Sequence, residues 1–118
     1  MTETSTQILQ DIINTSGARA AVVVGRDGFV IETAGSLGSI DLDTLGASVA
    51  MLLSGAESMG SELHIDIFHT LTLEASNAMI MCSPVGDALL VILASDSKTL
   101  GMIRLQVKKH APSLVQFF

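Results

Sequence analysis

The stretch "CSPVGDALLVILASDSKTLGMIRL", Cys82 to Leu105, decides the fold, because three different structures can be built on it. Seven apolar residues run unbroken from Ala88 to Ala94. A polar Ser-Asp-Ser follows, and then Leu100, Ile103 and Val107 recur at helical spacing. A bilayer-spanning helix needs about 17–25 residues, so the run is too short to be one. A phosphate loop needs glycines whose backbone N–H groups cradle the anion, as in GxxxxGK or GxGxxG. "SDSKTLG" has no glycine inside the loop, and Asp96 at the helix start repels an anion. What remains is a buried central strand over 88–94, a turn capped by Asp96 or Ser97, and helix 3 lying across the sheet. Pro84-Val85-Gly86-Asp87 turns the chain into that strand.

Before this turn, strand 4 is predicted over 78–83 and strand 3 over 64–74, "HIDIFHTLTLE". In strand 3, Ile65, Ile67, Leu71 and Leu73 alternate onto one face, and His64, Asp66, Phe68, Thr70, Thr72 and Glu74 onto the other. Three successive strands predict an antiparallel meander. Further upstream, "AAVVV" and "FVIETA" flank the tight-turn dipeptide Asp27-Gly28, which predicts a hairpin of strands 20–25 and 29–35. Helix 1 is predicted from Ser5 to Ser16. Thr4 and Gln7 have capping-box spacing, Ile8, Leu9, Ile12 and Ile13 share a face, and Gly17 can end it. In helix 3, Lys108, Lys109 and His110 suit the C-terminal dipole, and Pro112 is expected to stop the helix. The order is α-β-β-α-β-β-β-α in one α/β (α+β) domain spanning 1–118. Helices on both sheet faces explain why strands 1 and 5 are apolar throughout.

Helix 2 follows Asp41, its predicted N-cap, with Ile40 and Leu45 spaced as a hydrophobic staple. Leu42, Leu45, Val49, Leu52, Ala56, Met59 and Leu63 fall on a heptad pattern and are read as the core face. The opposite stripe is Thr44, Ser48, Met51, Gly55 and Ser58. Between Leu42 and Leu63 there is no Lys or Arg, and the charged residues are Asp43, Glu57 and Glu62. A solvated helix face is normally rich in Glu and Lys. Small neutral residues let another backbone come close. Helix 2 is therefore expected to be covered on a second side by another subunit or a partner, as against burial in its own fold.

Composition narrows the function. The chain has 118 residues, 48% of them hydrophobic and 15% charged, with a net charge of −6, no Trp, no Tyr and four Phe. Nucleic-acid binding calls for a basic patch and stacking aromatics, so it is not expected. Membrane insertion is not expected either. One cysteine excludes an intrachain disulfide and fits a reducing compartment. The N-terminus has no basic region before a long apolar core, so it does not read as a signal peptide. A cytoplasmic protein is expected.

No catalytic, cofactor or metal site emerges. His64, Asp66 and His69 could ligate a metal, but on a regular strand His69 faces away from the other two. There is no GxSxG elbow. Cys82 on an apolar strand reads as a packed thiol. Glu57 and Glu62 do not share a face and read as solvated. Arg26, in the tight turn, is the most exposed of Arg19, Arg26 and Arg104, and an ordinary solubilising arginine is the better reading than a finger aimed at a GTPase. An enzyme is not expected.

Three segments together, "AAVVVGRDGFVIETAG", "DLDTLGASVAMLLSGAESMG" and "LTLEASNAMIMCSPVGDALLVILASDSKTLGMIRLQVKK", resemble the Roadblock/dynein light chain family, in its bacterial and archaeal MglB-like branch. The order and spacing of the segments carry the likeness, above all Pro84-Val85-Gly86 before the last strand and Leu100-Gly101 with Arg104 opening the last helix. The resemblance implies a profilin-like sandwich: a five-stranded antiparallel sheet with helices 1 and 3 on one face and helix 2 on the other. It implies a homodimer in which strand 3 pairs with its symmetry mate and the two copies of helix 2 pack together. His64, Asp66, Phe68 and Thr70 would then lie on the dimer seam. It also implies regulation or binding of a small Ras-like GTPase, as in MglB-like GTPase activators that work without an arginine finger. The partner surface would be the helix 2 pair, with Ser48, Met51, Ser54, Gly55 and Ser58 as contacts. The chain ends soon after helix 3 with "SLVQFF", without the extended tail of longer MglB proteins, which favours binding over full activation. The alternative is a dynein-light-chain-like scaffold or adaptor with no effect on GTP hydrolysis. A small-molecule sensor is a third reading, disfavoured by few aromatic and convergent polar groups.

Overall fold

Thr4 opens the first helix. Its hydroxyl accepts the Gln7 N–H at 3.2 Å, and the Gln7 side chain accepts the Thr4 N–H at 2.8 Å. Two donors that a helix start leaves free are satisfied in this way. Helix α1 runs from Ser5 to Ser16 and ends on Gly17 at φ 79°, as predicted. A computed structural model describes residues 3–118; Met1 and Thr2 lie outside the described residues.

Five strands follow in the expected order: β1 Ala20–Gly25, β2 Val30–Gly35, β3 Leu71–Glu74, β4 Met79–Val85 and β5 Ala88–Ala94. Helix α2, Leu42–Glu62, comes after β2, and helix α3, Leu100–Val115, comes last. The strands form one antiparallel sheet in the order β2-β1-β5-β4-β3. The apolar run 88–94 is thus the central strand. Leu9 and Ile12 of α1 and Ile103, Val107 and Leu114 of α3 pack on Val23, Leu90 and Ile92. Val49 and Leu53 of α2 pack on Val22, Val24, Leu89 and Val91, the opposite face. Alternate side chains of β1 and β5 enter two different cores, which is why both strands are apolar throughout.

The hairpin turn is closed by the Gly28 N–H donating to the Gly25 carbonyl at 2.9 Å, with Gly28 at φ 91°. The Asp27 carboxylate accepts the Phe29 N–H at 3.1 Å, and β2 starts at Val30, one residue later than predicted. At the other end of this hairpin face, the hydroxyls of Ser5 and Thr6 donate to the Glu32 carboxylate and tie the start of α1 to β2, an edge strand.

The predicted strand 3 over 64–74 is mostly absent: β3 covers only Leu71–Glu74. The cause lies in β4, which runs through Pro84 to Val85 instead of stopping at 83. Val85 pairs with Ala88 across the Gly86–Asp87 turn. That alternation points the position-84 nitrogen toward β3, and proline has no hydrogen to donate. The β3–β4 ladder stops at Leu71 opposite Cys82. One step further, the Ser83 hydroxyl donates to the His69 carbonyl at 2.9 Å. Residues 64–70 then run beside the sheet without pairing, starting at His64 with φ 57°.

Pro112 does not stop the last helix; it lies inside α3. Tertiary contacts carry the chain past it. Leu114 is fully buried, and the Phe118 carbonyl accepts the Asp87 N–H at 3.3 Å. Lys108, Lys109 and His110 consequently sit in the body of α3, not in its last turn. A single 3-10 turn, Ser97–Thr99, precedes the helix, and Asp96 caps it by accepting the Lys98 N–H at 2.9 Å.

Candidate interaction surface

Asp41 starts α2 as predicted. Its carboxylate accepts the Thr44 N–H at 3.3 Å, the Thr44 hydroxyl at 3.1 Å and the Asp43 N–H at 3.1 Å. The bond from the Thr44 amide, then that from its hydroxyl, holds the Asp41 carboxyl below the usual carboxylate range.

The buried side of α2 is Gly46, Val49, Leu53, Ala56 and Gly60. The heptad reading shares only Val49 and Ala56 with it; the helix is rotated so that Leu42, Leu45 and Leu52 are half-buried and Met59 and Leu63 are exposed. Glycines set the rotation. A Cβ at Gly46 would overlap the Gly28 carbonyl oxygen of the hairpin turn, and one at Gly60 would meet the Phe68 ring at 3.0 Å. The helix seats on its glycines, and larger residues turn to the flank. Small residues do mark a close backbone approach here, but on the inner face.

Ser48, Met51, Ser54, Gly55 and Ser58 are all exposed. A Cβ at Gly55 would meet nothing within 4 Å. Met51 is 74% exposed, Met59 54% and Leu63 59%. Together they leave a neutral, apolar-studded side of α2 with nothing packed on it. Glu57, expected to be merely solvated, binds Arg26 of the hairpin turn at 3.1 Å on the other flank. Both side chains are nearly half exposed, so the pair contributes little to stability.

The residues expected at a dimer seam do not share one strand face. His64 and Asp66 are exposed, and the Asp66 carboxylate accepts the Ile67 N–H at 2.8 Å. Phe68 and Thr70 are half-buried, Phe68 against Gly60. Ile65 and Ile67, read as sharing one strand face with Leu71 and Leu73, are 51% and 75% exposed. This segment continues the uncovered surface of α2 down to the β3 edge. Heptad spacing reads Met59 and Leu63 as core, and alternation puts Ile65 and Ile67 on one face of a regular strand; the glycines at 46 and 60 and Pro84 are the signals against those readings.

Cys82 lies in the core beneath α2, where burial pushes its thiol up to about 11. Among the described residues, no group of three His, Cys, Asp or Glu is placed to hold a metal. No described helix is long and apolar enough to cross a membrane.

A five-stranded antiparallel sheet between one helix and a pair, with the lone helix exposed along its outer side, defines an α+β module. The chain belongs to the Roadblock/LC7 domain family, whose model matches residues 4–94. It is 28% identical over 112 residues to the uncharacterized protein MJ0310 of Methanocaldococcus jannaschii, covering 95% of this chain and 97% of that one. Its fold matches Myxococcus xanthus MglB with a TM-score of 0.88 at 22% identity, covering 98% of each chain. It also matches an MglB with tetrameric arrangement, with a TM-score of 0.85 at 25% identity, covering 93% of this chain and 84% of that one.

Proposed function

We propose that this protein is a homodimeric, cytoplasmic regulator that binds a small Ras-like GTPase, in the manner of the MglB-like branch, and inserts no arginine of its own. The observation that carries the proposal is the uncovered neutral side of α2, continuous with an edge strand. Exposed apolar surface of this kind marks a protein contact. β3 is a free edge, and pairing it with its own copy removes an aggregation hazard through an isologous contact. Around that seam lie His64, Asp66, Phe68 and Thr70. Ser48, Met51, Ser54, Gly55 and Ser58 contact the partner, with Met51 as an adaptable anchor. The tetrameric MglB supports self-association, and the family likeness supports a GTPase as the partner. Arg26, already engaged by Glu57, fits a regulator that rearranges its partner's own catalytic groups.

The test is phosphate release by the host's Ras-like GTPase with and without excess protein, alongside binding in the GDP and GTP states. Acceleration of about tenfold, or about 1.4 kcal/mol of barrier, identifies an activator. Binding without acceleration identifies an adaptor. Binding to neither state overturns the GTPase partnership. Met51→Asp should abolish binding while the thermal midpoint stays unchanged; retained binding removes α2 as the contact.

A further inference from the structure

On the sheet face covered by α1 and α3, beside the β3 edge, lies a cavity of about 630 Å³. That volume falls within the range of small-molecule sites, about 300–1,000 Å³. Buried Met81 and Val107 and half-buried Phe68 and Ala111 give it an apolar floor. Its rim is cationic. Arg104 and Lys108, one turn apart on α3, are exposed and form no ion pair among the described residues. Among the described residues, no Asp or Glu lines the cavity. The chain has six Lys and Arg against twelve Asp and Glu, so the site locally reverses the charge of the molecule. Its cationic rim belongs to α3, on the sheet face opposite α2, while Phe68 and Thr70 on its other wall are shared with the proposed seam.

We propose that this cavity binds a small amphipathic carboxylate, an aliphatic chain ending in an acid group. The chain covers exposed Ile67 and half-buried Phe68 and Ala111, whose apolar surface gains by leaving water, above a floor closed by buried Met81 and Val107. The carboxylate sits between Arg104 and Lys108. A guanidinium offers a fork of N–H donors that matches the two carboxylate oxygens, and the ammonium adds a point charge. A cationic amphiphile with the same chain meets repulsion at the rim. A short anion without the chain leaves the floor wet.

Isothermal titration of the full chain with decanoate, decyltrimethylammonium and acetate, all below micelle-forming concentrations, tests the proposal. Saturable binding of decanoate at one per chain is expected, with neither decyltrimethylammonium nor acetate binding. The double variant Arg104→Glu/Lys108→Glu should bind decanoate at least about tenfold more weakly. Lys98→Glu/Lys109→Glu, with the same change in net charge away from the cavity, should bind as the parent does. Circular dichroism checks that both variants fold. Equal binding of the two amphiphiles, indifference to the Arg104/Lys108 reversal, or no decanoate binding overturns the proposal. If decanoate fails to bind and the reversal at 104 and 108 changes the sedimenting mass, a second copy of the chain fills the cavity instead. The proposal stands or falls apart from the GTPase reading, since Met51→Asp leaves this cavity intact.

Discussion

Gly46 and Gly55 belong to the same helix and do opposite things. At Gly46 a methyl group would strike the Gly28 carbonyl, so Gly46→Ala should destabilise the fold by about 1–3 kcal/mol through overpacking. At Gly55 a methyl group meets open space, so Gly55→Ala should raise stability by up to about 1 kcal/mol through helix propensity. Urea denaturation of the two variants checks the pair, and like behaviour would contradict the seating of α2. Asp41 gives a pH-dependent case. Its carboxyl is held below its ordinary value of 3.8 in the folded chain, so the folded state favours the ionised form. The stabilisation is therefore fully present above that value and is lost as pH falls through the lower folded one. The gap in thermal midpoint between the parent and Asp41→Ala should close below about pH 4. For Cys82 the sign is reversed: a thiol pushed up to about 11 stays protonated at neutral pH. It should ignore a thiol-specific disulfide reagent at pH 8 until denaturant is added.

Among the elements, α1 was fully legible in the sequence, because its start and stop are local: Thr4 with Gln7 at one end and Gly17 at the other. The central strand 88–94 was equally plain, since an unbroken apolar run of that length has few other homes. β3 was not, because its length is limited by Pro84, a residue of the neighbouring strand that alternation along 64–74 cannot report. The face of α2 failed for a related reason. Hydrophobic spacing ranks residues by how much they gain from burial, whereas the hairpin turn accepts only a residue without a side chain at 46 and so fixes the rotation. The outward stripe of Thr44, Ser48, Met51, Gly55 and Ser58, expected to be covered by another subunit or a partner, is exposed in the single chain. In α3, Pro112 interrupts the ladder at an exposed position, and the burial of Leu114 outweighs it. Pro112→Ala should restore a backbone donor and raise stability, by up to about 3 kcal/mol as an upper bound for a helix interior. Chemical denaturation would read this directly.

At the scale of the whole molecule, the two sheet edges differ. The β3 edge carries Leu73, which is 46% exposed, next to the bare segment 64–70. A lysine there should block pairing between copies, as charged edge residues do in natural sheets. Sedimentation equilibrium should find Leu73→Lys at the mass of one chain, with unchanged circular dichroism, and the parent at twice that mass. A Leu73→Lys protein that still sediments as a pair would move the contact wholly to α2. The β2 edge is guarded differently. Glu32 stands in its middle, and its carboxylate is engaged by Ser5 and Thr6. A strand arriving at that edge would have to accommodate a fixed charge and its escort of hydroxyls. A sheet joined through two β3 edges would end on both sides at a β2 edge carrying that engaged carboxylate. Glu32→Val should therefore leave the fold intact and make the chain more prone to form fibres, which a thioflavin assay against the parent would read.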